Sequence, residues 1–296
     1  MPRIAVILAA GKGTRMDSDL PKVLHRAGGR PLLGWVAAAA REAGCERIVA
    51  VIGHGADDVK REMAADPAGE GLEYALQADQ LGTGHALAQA RGAVAGEAIL
   101  LVLSGDVPLV RAATLRALAS RIEADGAWGA MAVAEPDDPG SLGRVLSRPS
   151  PGGGQELERI VETADATPDE LALDRVNAGL YALPAPGIFP YLDRLDAGNA
   201  QGEYYLTDAL GAAAAHRRSI ALHALADPGE ALGVNTPAEL AAVDLLLRER
   251  GTSPARGSEG GRAKPDSWGE TREPRFSGRG GAGTAPPEKT GAGGRG

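Results

Sequence analysis

The chain has 296 residues, a formal net charge of −8, and an apolar content of 44% with an aromatic share of only 3%. This length allows one large domain or two ordinary ones, and Ala, Leu and Val must fill most of the core. The negative charge argues against a general nucleic-acid binder, which needs a basic face to displace counterions from phosphates.

The start of the chain predicts a buried strand and not a targeting segment. The apolar run from Ile4 to Ala10 is at the lower limit for the core of a signal peptide, and Gly-Lys-Gly follows it directly. No segment approaches the roughly eighteen apolar residues that span a bilayer. Cys45 is the single cysteine, so an intramolecular disulfide is excluded. We expect a cytoplasmic protein without a membrane partner.

Aliphatic runs alternate with helix-like segments up to residue 126. The predicted strands are 3–10, 47–53, 72–77 and 98–106, and the predicted helices are 31–44, 56–65, 82–94 and 110–126. Strands that alternate with helices of about ten to fifteen residues predict right-handed βαβ crossovers. The predicted fold class is therefore α/β, a doubly wound Rossmann-like domain with a mostly parallel central sheet.

The rest of the chain changes character twice. Short strand-like pieces at 129–134, 143–147, 157–162 and 175–183 predict a small β-rich portion, and helices return at 203–216 and 236–250. Residues 251–296 contain 13 Gly and 5 Pro but no Ile, Leu, Val or Met. Such a segment cannot bury enough apolar surface to offset its ordering entropy. We therefore predict one domain over 1–250 and a disordered tail over 251–296.

The stretch AAGKGTRMDSDLPK, directly after the first strand, is a candidate phosphate site. It matches neither the P-loop nor the dinucleotide fingerprint, whose third glycine position holds Met16 here. Gly11 and Gly13 let backbone N–H groups approach a phosphate, and Arg15 and Lys22 add positive charge. The alternative is an ordinary surface turn, but the coincidence of strand, glycines and both cations favours the phosphate.

Two further clusters follow strands. Asp106 ends the strand 98–106, where a carboxylate suits Mg²⁺ and where a capped turn is an equally good explanation. The small residues at 82–84, preceded by Gln77, leave room for a flat base, and a plain helix N-cap is the alternative. A structural role is the simpler interpretation of His85, which lies next in that helix.

These pieces together resemble the sugar-nucleotide pyrophosphorylases, whose pattern is roughly Gly-x-Gly-Thr-Arg-Met followed by Pro-Lys. The stretches QADQLGTGHAL, LSGDVPLV, RVNAGLYAL, NAQGEYYLTDAL and GVNTPAEL narrow the similarity to the uridylyltransferase half of the bifunctional bacterial enzymes that make UDP-N-acetylglucosamine. The similarity runs in order from about Arg3 to Arg250. It implies a nucleotide-diphospho-sugar transferase fold and Mg²⁺-dependent transfer from UTP to N-acetylglucosamine 1-phosphate, with release of pyrophosphate.

The resemblance also assigns roles to matching positions. The nucleotide would lie along Leu8, Ala9, Ala10 and Gly11, with the uracil read by Gln77, Gly82 and Thr83. Arg15 and Lys22 would be the catalytic pair that neutralises the phosphates, and Asp106 and Asn235 would hold Mg²⁺. The sugar would contact Gly143, Glu162 and Asn177, with Ser104 and Gly105 close to the nucleotide sugar.

The sequence departs from the family pattern near the sugar and at the tail. Ser104 stands where many relatives carry a tyrosine, and Thr163-Ala164 stands where they often carry polar or basic residues. A relative that uses another sugar phosphate or nucleotide, of the glucose-1-phosphate or molybdopterin type, is therefore an alternative. A non-catalytic relative is another, although it would be expected to lose the charged positions. The bifunctional enzymes continue into hexapeptide repeats that carry an acetyltransferase, which we do not expect here.

Overall fold

The computed structural model describes residues 1–94, 96–150 and 153–252, so the predicted tail falls almost wholly outside the described part. The strands are β1 (Arg3–Ala9), β2 (Arg26–Ala27), β3 (Arg30–Pro31), β4 (Arg47–Ile52), β5 (Leu72–Leu76), β6 (Ala98–Ser104), β7 (Gly129–Ala134), β8 (Arg144–Pro149), β9 (Gln155–Val161), β10 (Val176–Ala185) and β11 (Ile220–Ala224). The α-helices are α1 (Leu32–Glu42), α2 (Ala56–Ala64), α3 (Thr83–Gln89), α4 (Ala112–Glu123), α5 (Pro168–Leu171), α6 (Phe189–Leu192), α7 (Leu206–Ala215) and α8 (Pro237–Thr252).

A nine-stranded sheet organises the domain, in the order β5-β4-β1-β6-β10-β7-β11-β9-β8. The first four strands are parallel, as short aliphatic strands joined by crossover helices require. β10 then runs antiparallel to both β6 and β7, and β9 is antiparallel to β8 and β11. The Rossmann-like α/β class is confirmed, and the antiparallel pairs collect where the sequence predicted the β-rich portion.

Both faces of the sheet are covered because side chains alternate along each strand. Ala5 and Ile7 of β1 belong to a buried cluster with residues of α1, α2 and α4. Ile4 and Val6 belong to a second buried cluster with residues of α3, α6 and α7. With both faces occupied, the crevice beyond the carboxyl ends of the strands is where this architecture admits a ligand.

A third, smaller cluster joins the two ends of the described chain. Met16, in the loop after β1, shares this cluster with Val234 and with Val243 and Leu247 of α8. The hairpin of β2 and β3 supplies Ala27 to the same cluster. The loop after β1 and the segment around α8 therefore pack into the same buried apolar cluster.

The structure differs from the sequence prediction around residues 203–224. Helix α7 begins at Leu206 and not at residue 203, because the backbone before it is paired elsewhere. The Tyr204 N–H donates to the Leu81 carbonyl at 2.8 Å, and the Tyr204 carbonyl accepts from the Gly84 N–H at 2.8 Å. No sequence pattern predicted β11, in which Ile220 is buried, the next three residues are half-buried and Ala224 is exposed. The predicted boundary at residue 250 stays a prediction, and α8 continues to Thr252.

Within the described ranges, no helix combines the length and the apolar character that crossing a membrane requires.

Candidate active site

Two adjoining cavities open beyond the carboxyl ends of β1 and β6. The smaller has a volume of about 260 Å³ and the larger about 730 Å³. Leu8, Thr83, Ser104 and Asp106 line both cavities and so mark the junction between them. An enclosure with two lobes can hold two reactants side by side, with the junction as the place where they meet.

The smaller cavity collects the residues that the resemblance assigns to the nucleotide. Its lining includes Leu8, Ala9, Ala10, Gly11, Lys22, Gln77, Gly82 and Thr83. Gln77 is 3% exposed, and its amide Nε2 donates to the Gly82 carbonyl at 3.1 Å. The Gly82 turn is tight, since a Cβ there would lie 2.7 Å from the Tyr204 carbonyl, with a φ of +105°. Only glycine fits this turn, because any side chain would clash with the backbone of Tyr204.

Lys22 lines the smaller cavity, and its ammonium reaches Asp106 at the junction and Asn235 of the larger cavity. Its Nζ is 2.5 Å from Asp106 Oδ2 and 3.0 Å from Asn235 Oδ1. The buried Val23 and Leu24 anchor the short turn that carries it. Gly13 packs directly on its stem, because a Cβ at this φ of +63° would lie 2.6 Å from Lys22 Cβ. The absence of a side chain at Gly13 therefore makes room for the lysine.

Asn235 reaches the junction because the start of α8 is firmly capped. The Glu239 N–H donates to Thr236 Oγ1 at 3.2 Å, and the Thr236 N–H donates back to Glu239 Oε2 at 2.9 Å. This reciprocal arrangement is a capping box, encoded by the Thr-x-x-Glu spacing. The Val234 N–H also donates to the Asp106 carbonyl at 2.9 Å. Asn235 and Asp106 are thus locked side by side.

A cation fits between Asp106 and Asn235, because one ammonium already contacts an oxygen of each. A carboxylate and an amide carbonyl are oxygen donors of the kind that Mg²⁺ accepts. No group of three or more His, Cys, Asp or Glu able to hold a metal occurs in the described part of the chain. A metal at this junction would take its remaining ligands from water and from substrate phosphates, which is the usual pattern for Mg²⁺.

The larger cavity collects the residues that the resemblance assigns to the sugar. Gly143, Glu162, Asn177 and Ser104 all line it. Thr207 donates through Oγ1 to Glu162 Oε1 at 2.9 Å, while a Cβ at Gly143 would lie 3.2 Å from Glu162 Oε2. Burial raises the pKa of the Glu162 carboxyl, and the nearby carboxylates Asp208, Asp165 and Glu203 act in the same direction. The arrangement suits a hydrogen-bond acceptor for sugar hydroxyl groups.

Asn177 is fixed by its neighbours on β10. Its Nδ2 donates to the Tyr181 hydroxyl at 2.7 Å, and its Oδ1 accepts from the Gly179 N–H at 3.0 Å. Its own N–H donates to the Gly143 carbonyl at 2.8 Å. The register of β10 against β7 shifts between Asn177 and Tyr181, so the regular pairing is interrupted where these two side chains meet. Each end of the amide keeps capacity for one further hydrogen bond.

Arg15 and Gly105 line neither cavity, and neither does Gly13 of the candidate phosphate stretch. Arg15 is exposed on the loop after β1. Gly105 is buried behind the junction, where its N–H donates to the Leu8 carbonyl at 2.9 Å. A Cβ at Gly105 would lie 3.1 Å from that carbonyl, so the residue ties β6 to β1. The roles given to these two residues, like those of the other site residues, remain predictions.

Sequence reasoning did not single out Thr207 or Tyr181, although both lie in stretches that carried the resemblance. Thr207 is 5% exposed and Tyr181 is also 5% exposed. Their partners, Glu162 and Asn177, were predicted, and a polar residue buried beside a predicted one is the signal that would have found them. The contact between Thr207 of α7 and Glu162 joins residues 45 positions apart, which residue spacing does not reveal.

The fold and its two joined cavities define a Rossmann-like α/β domain with the layout of a nucleotidyltransferase. The chain belongs to the family of MobA-like NTP transferase domains, whose family model matches residues 5–215. It is similar to the Bifunctional protein GlmU of Trichlorobacter lovleyi, with 46% identity over 247 residues. It is also 45% identical over 252 residues to the Bifunctional protein GlmU of Pelotomaculum thermopropionicum.

These alignments cover 83% and 84% of this chain but only 52% and 53% of the two relatives. The chain therefore spans about half the length of the curated relatives it matches. Among solved structures, UDP-glucose pyrophosphorylase complexed with UDP-glucose superposes with a TM-score of 0.68 at 21% identity, covering 84% of this chain and 100% of that one. The inositol-1-phosphate CTP transferase from T. maritima superposes with a TM-score of 0.63 at 19% identity, covering 83% and 95%.

Proposed function

We propose that this chain transfers a uridylyl group from UTP to N-acetylglucosamine 1-phosphate, giving UDP-N-acetylglucosamine and pyrophosphate, with Mg²⁺ as its metal ion. The observation that carries the proposal is the position of Lys22. Its ammonium lies between Asp106 and Asn235, where a cavity lined by the predicted nucleotide residues meets one lined by the predicted sugar residues. The similarity to the GlmU proteins supports the same assignment.

In this reaction an oxygen of the sugar phosphate attacks the α-phosphorus of UTP, and the bond from that phosphorus to the pyrophosphate oxygen breaks. Such a displacement needs positioning and charge stabilisation, and no covalent protein nucleophile. A bound Mg²⁺ would be held by Asp106 and Asn235 and would offset negative charge on the phosphates. Lys22 supplies a second positive charge at the junction of the cavities, where the two phosphates must meet.

The residues of the larger cavity would orient the acceptor. The Glu162 oxygen that faces Gly143 is available to a sugar hydroxyl, because Thr207 occupies the other oxygen. The Asn177 amide can donate and accept once more, which suits an N-acetyl or hydroxyl group. Substrate held between these groups brings its phosphate toward the junction, and orientation of this kind lowers the entropic part of the barrier.

The test is a panel of nucleoside triphosphates against sugar 1-phosphates, with pyrophosphate release as the readout. UTP with N-acetylglucosamine 1-phosphate should give the highest kcat/KM, and removal of Mg²⁺ with a chelator should abolish turnover. Preference for glucose 1-phosphate or for CTP would assign the chain to another sugar or nucleotide. Absence of turnover with every pair would favour a non-catalytic relative.

We further propose that the protein works in the cytoplasm, where UTP is available. The buried thiol of Cys45 is compatible with a reducing compartment.

A further inference from the structure

His85 on α3 contacts Gln77, the residue that the resemblance assigns to the uracil base. The Gln77 amide Nε2 lies 3.1 Å from the Gly82 carbonyl and 3.0 Å from His85 Nδ1. On the other side of the ring, His85 Nε2 lies 3.0 Å from the Gln89 side-chain amide. A chain of three polar side chains therefore runs from α3 to the smaller cavity.

The carbonyl of Gly82 decides how the Gln77 amide is oriented. A backbone carbonyl can only accept, so the Gln77 atom that faces it must be the NH₂ group. The second hydrogen of that NH₂ group points to His85 Nδ1, which must therefore carry a lone pair. It follows that the ring proton of His85 is on Nε2 and that Gln77 Oε1 is turned away from both partners.

Gln89 completes the chain on the outer side. The proton on His85 Nε2 needs an acceptor, which the Gln89 side chain supplies through its amide oxygen. Nitrogen and oxygen of such an amide are assigned from the hydrogen-bond network. The competing contact of the Gln89 amide, to the His85 carbonyl, is long at 3.3 Å. Gln89 is only partly buried, whereas Gln77 is 3% exposed. The Gln89 amide is therefore the one that rotates to place its oxygen toward His85 Nε2.

We propose that His85 is a positioning residue for nucleobase selection, because it holds the Gln77 amide with Oε1 presented to the ligand. No described side chain or N–H group donates to Gln77 Oε1, and Gln77 lines the smaller cavity. The inference rests on the proposed function, in which the base is uracil. N3–H is the single hydrogen-bond donor on the pairing edge of uracil, so Gln77 Oε1 accepts from N3–H.

Cytosine is disfavoured by the same arrangement. Its N3 carries a lone pair where uracil carries a proton, so two acceptors would face each other when the base sits in the same pose. Rotation of the Gln77 amide would relieve the conflict by presenting Nε2, but it would place Oε1 against the Gly82 carbonyl, which cannot donate. It would also require the His85 proton to move from Nε2 to Nδ1 and the Gln89 amide to rotate in turn. His85 therefore adds to the cost of the wrong amide orientation, and a site with fixed hydrogen-bonding groups discriminates strongly between ligands.

The experiment measures kcat/KM for UTP and for CTP, with N-acetylglucosamine 1-phosphate as acceptor, in the parent and in His85 variants. His85→Leu removes the acceptor behind Gln77 and should lower the ratio of UTP to CTP activity by at least about tenfold. His85→Asn places an amide oxygen near the position of Nδ1 and should keep the ratio within about threefold of the parent. His85→Gln extends past that position and should behave like the leucine variant. Gln89→Leu leaves the contact between Gln77 and His85 intact and is the matched control.

An unchanged ratio in both His85→Leu and His85→Gln would overturn the proposal, whatever happens to the overall rate. A similar loss of ratio in His85→Asn would also overturn it, because it would show that packing of the ring and not its acceptor matters. If His85→Leu fails to fold, the two polar variants decide. If the parent shows no turnover with UTP, the proposed function fails, and calorimetric affinities for UTP and CTP in the same variants still test the role of His85.

Discussion

Replacement of Lys22 by alanine should slow the reaction sharply in both directions. The Lys22 ammonium contacts Asp106 at 2.5 Å and Asn235 at 3.0 Å, and the side chain is 16% exposed. If Lys22 faces substrate phosphates as proposed, a cation in such a partly desolvated site contributes about 3 kcal/mol to the stability of the transition state, which corresponds to roughly a hundredfold in rate. Because forward and reverse reactions share one transition state, UDP-sugar synthesis and pyrophosphorolysis should lose similar factors of kcat/KM.

The same variant should also be less stable. The Asp106 side chain is 18% exposed, so its ion pair with Lys22 lies between an exposed and a fully buried one. Loss of the partner should cost about 1–2 kcal/mol in the free energy of unfolding. For a domain of this size, each kcal/mol lowers Tm by roughly 2–4 °C. Measurement of Tm together with kcat/KM shows whether a slower reaction comes from the missing charge or from unfolding of the variant.

Lys12→Ala is the matched control, because Lys12 is an exposed lysine of the same loop that lines neither cavity. It should leave both rates and Tm close to those of the parent. A loss of no more than about threefold in both directions would put Lys22→Ala among ordinary surface substitutions. That result would refute the claim that the Lys22 ammonium stabilises the transition state. Equal losses in both variants would indicate a diffuse effect of loop charge and would refute the specific placement of Lys22.

Four further outcomes are expected. Asp106→Ala should keep the fold but lose most turnover, and full activity at limiting Mg²⁺ would contradict the metal assignment. Arg15→Lys should turn over more slowly than the parent, because an ammonium does not copy a bidentate guanidinium; parental rates would remove Arg15 from the site. Glu162→Gln should raise Tm at pH 7, because burial raises the pKa of the Glu162 carboxyl and its charged form therefore destabilises the fold. That destabilisation sets in as pH rises from about 4.5 through the raised pKa, so the gain in Tm should vanish in acid. Glu73→Gln is the control and should give no gain, because Arg47 lowers the pKa of the Glu73 carboxyl. A chain ending at Thr252 should keep the Tm and rate of the full chain, and a large loss of either would show that residues after 252 contribute to the domain.

The parallel half of the sheet could be predicted from local pattern alone. β1, β4 and β6 are aliphatic runs, and a helix follows each of them. Ligands of such sheets bind beyond the carboxyl ends of the strands, so the position of Asp106 after β6 made it a candidate before any contact was known. The same rule suggested a phosphate as the partner of Lys22, which lines the smaller cavity. In the structure its described partners are Asp106 and Asn235.

The parts that escaped prediction depend on pairing between distant residues. β11 is short, and its half-buried residues give too weak an alternation to separate it from a loop. The start of α7 was placed too early because Tyr204 pairs with Leu81 and Gly84, which no periodicity records. The contact between His85 and Gln77 crosses a turn, and its importance lies in hydrogen-bond direction, which residue spacing does not encode.

The late position of Asn235 has a consequence for how the protein is made. The stretch matched by the family model ends at residue 215, and Asn235 follows it, held against Asp106 by the Val234 N–H. A nascent chain that has emerged only as far as residue 215 already contains Lys22 and Asp106 but lacks Asn235, the second oxygen donor of the proposed cation site. If the proposed function holds, activity should therefore appear only after synthesis has passed Asn235.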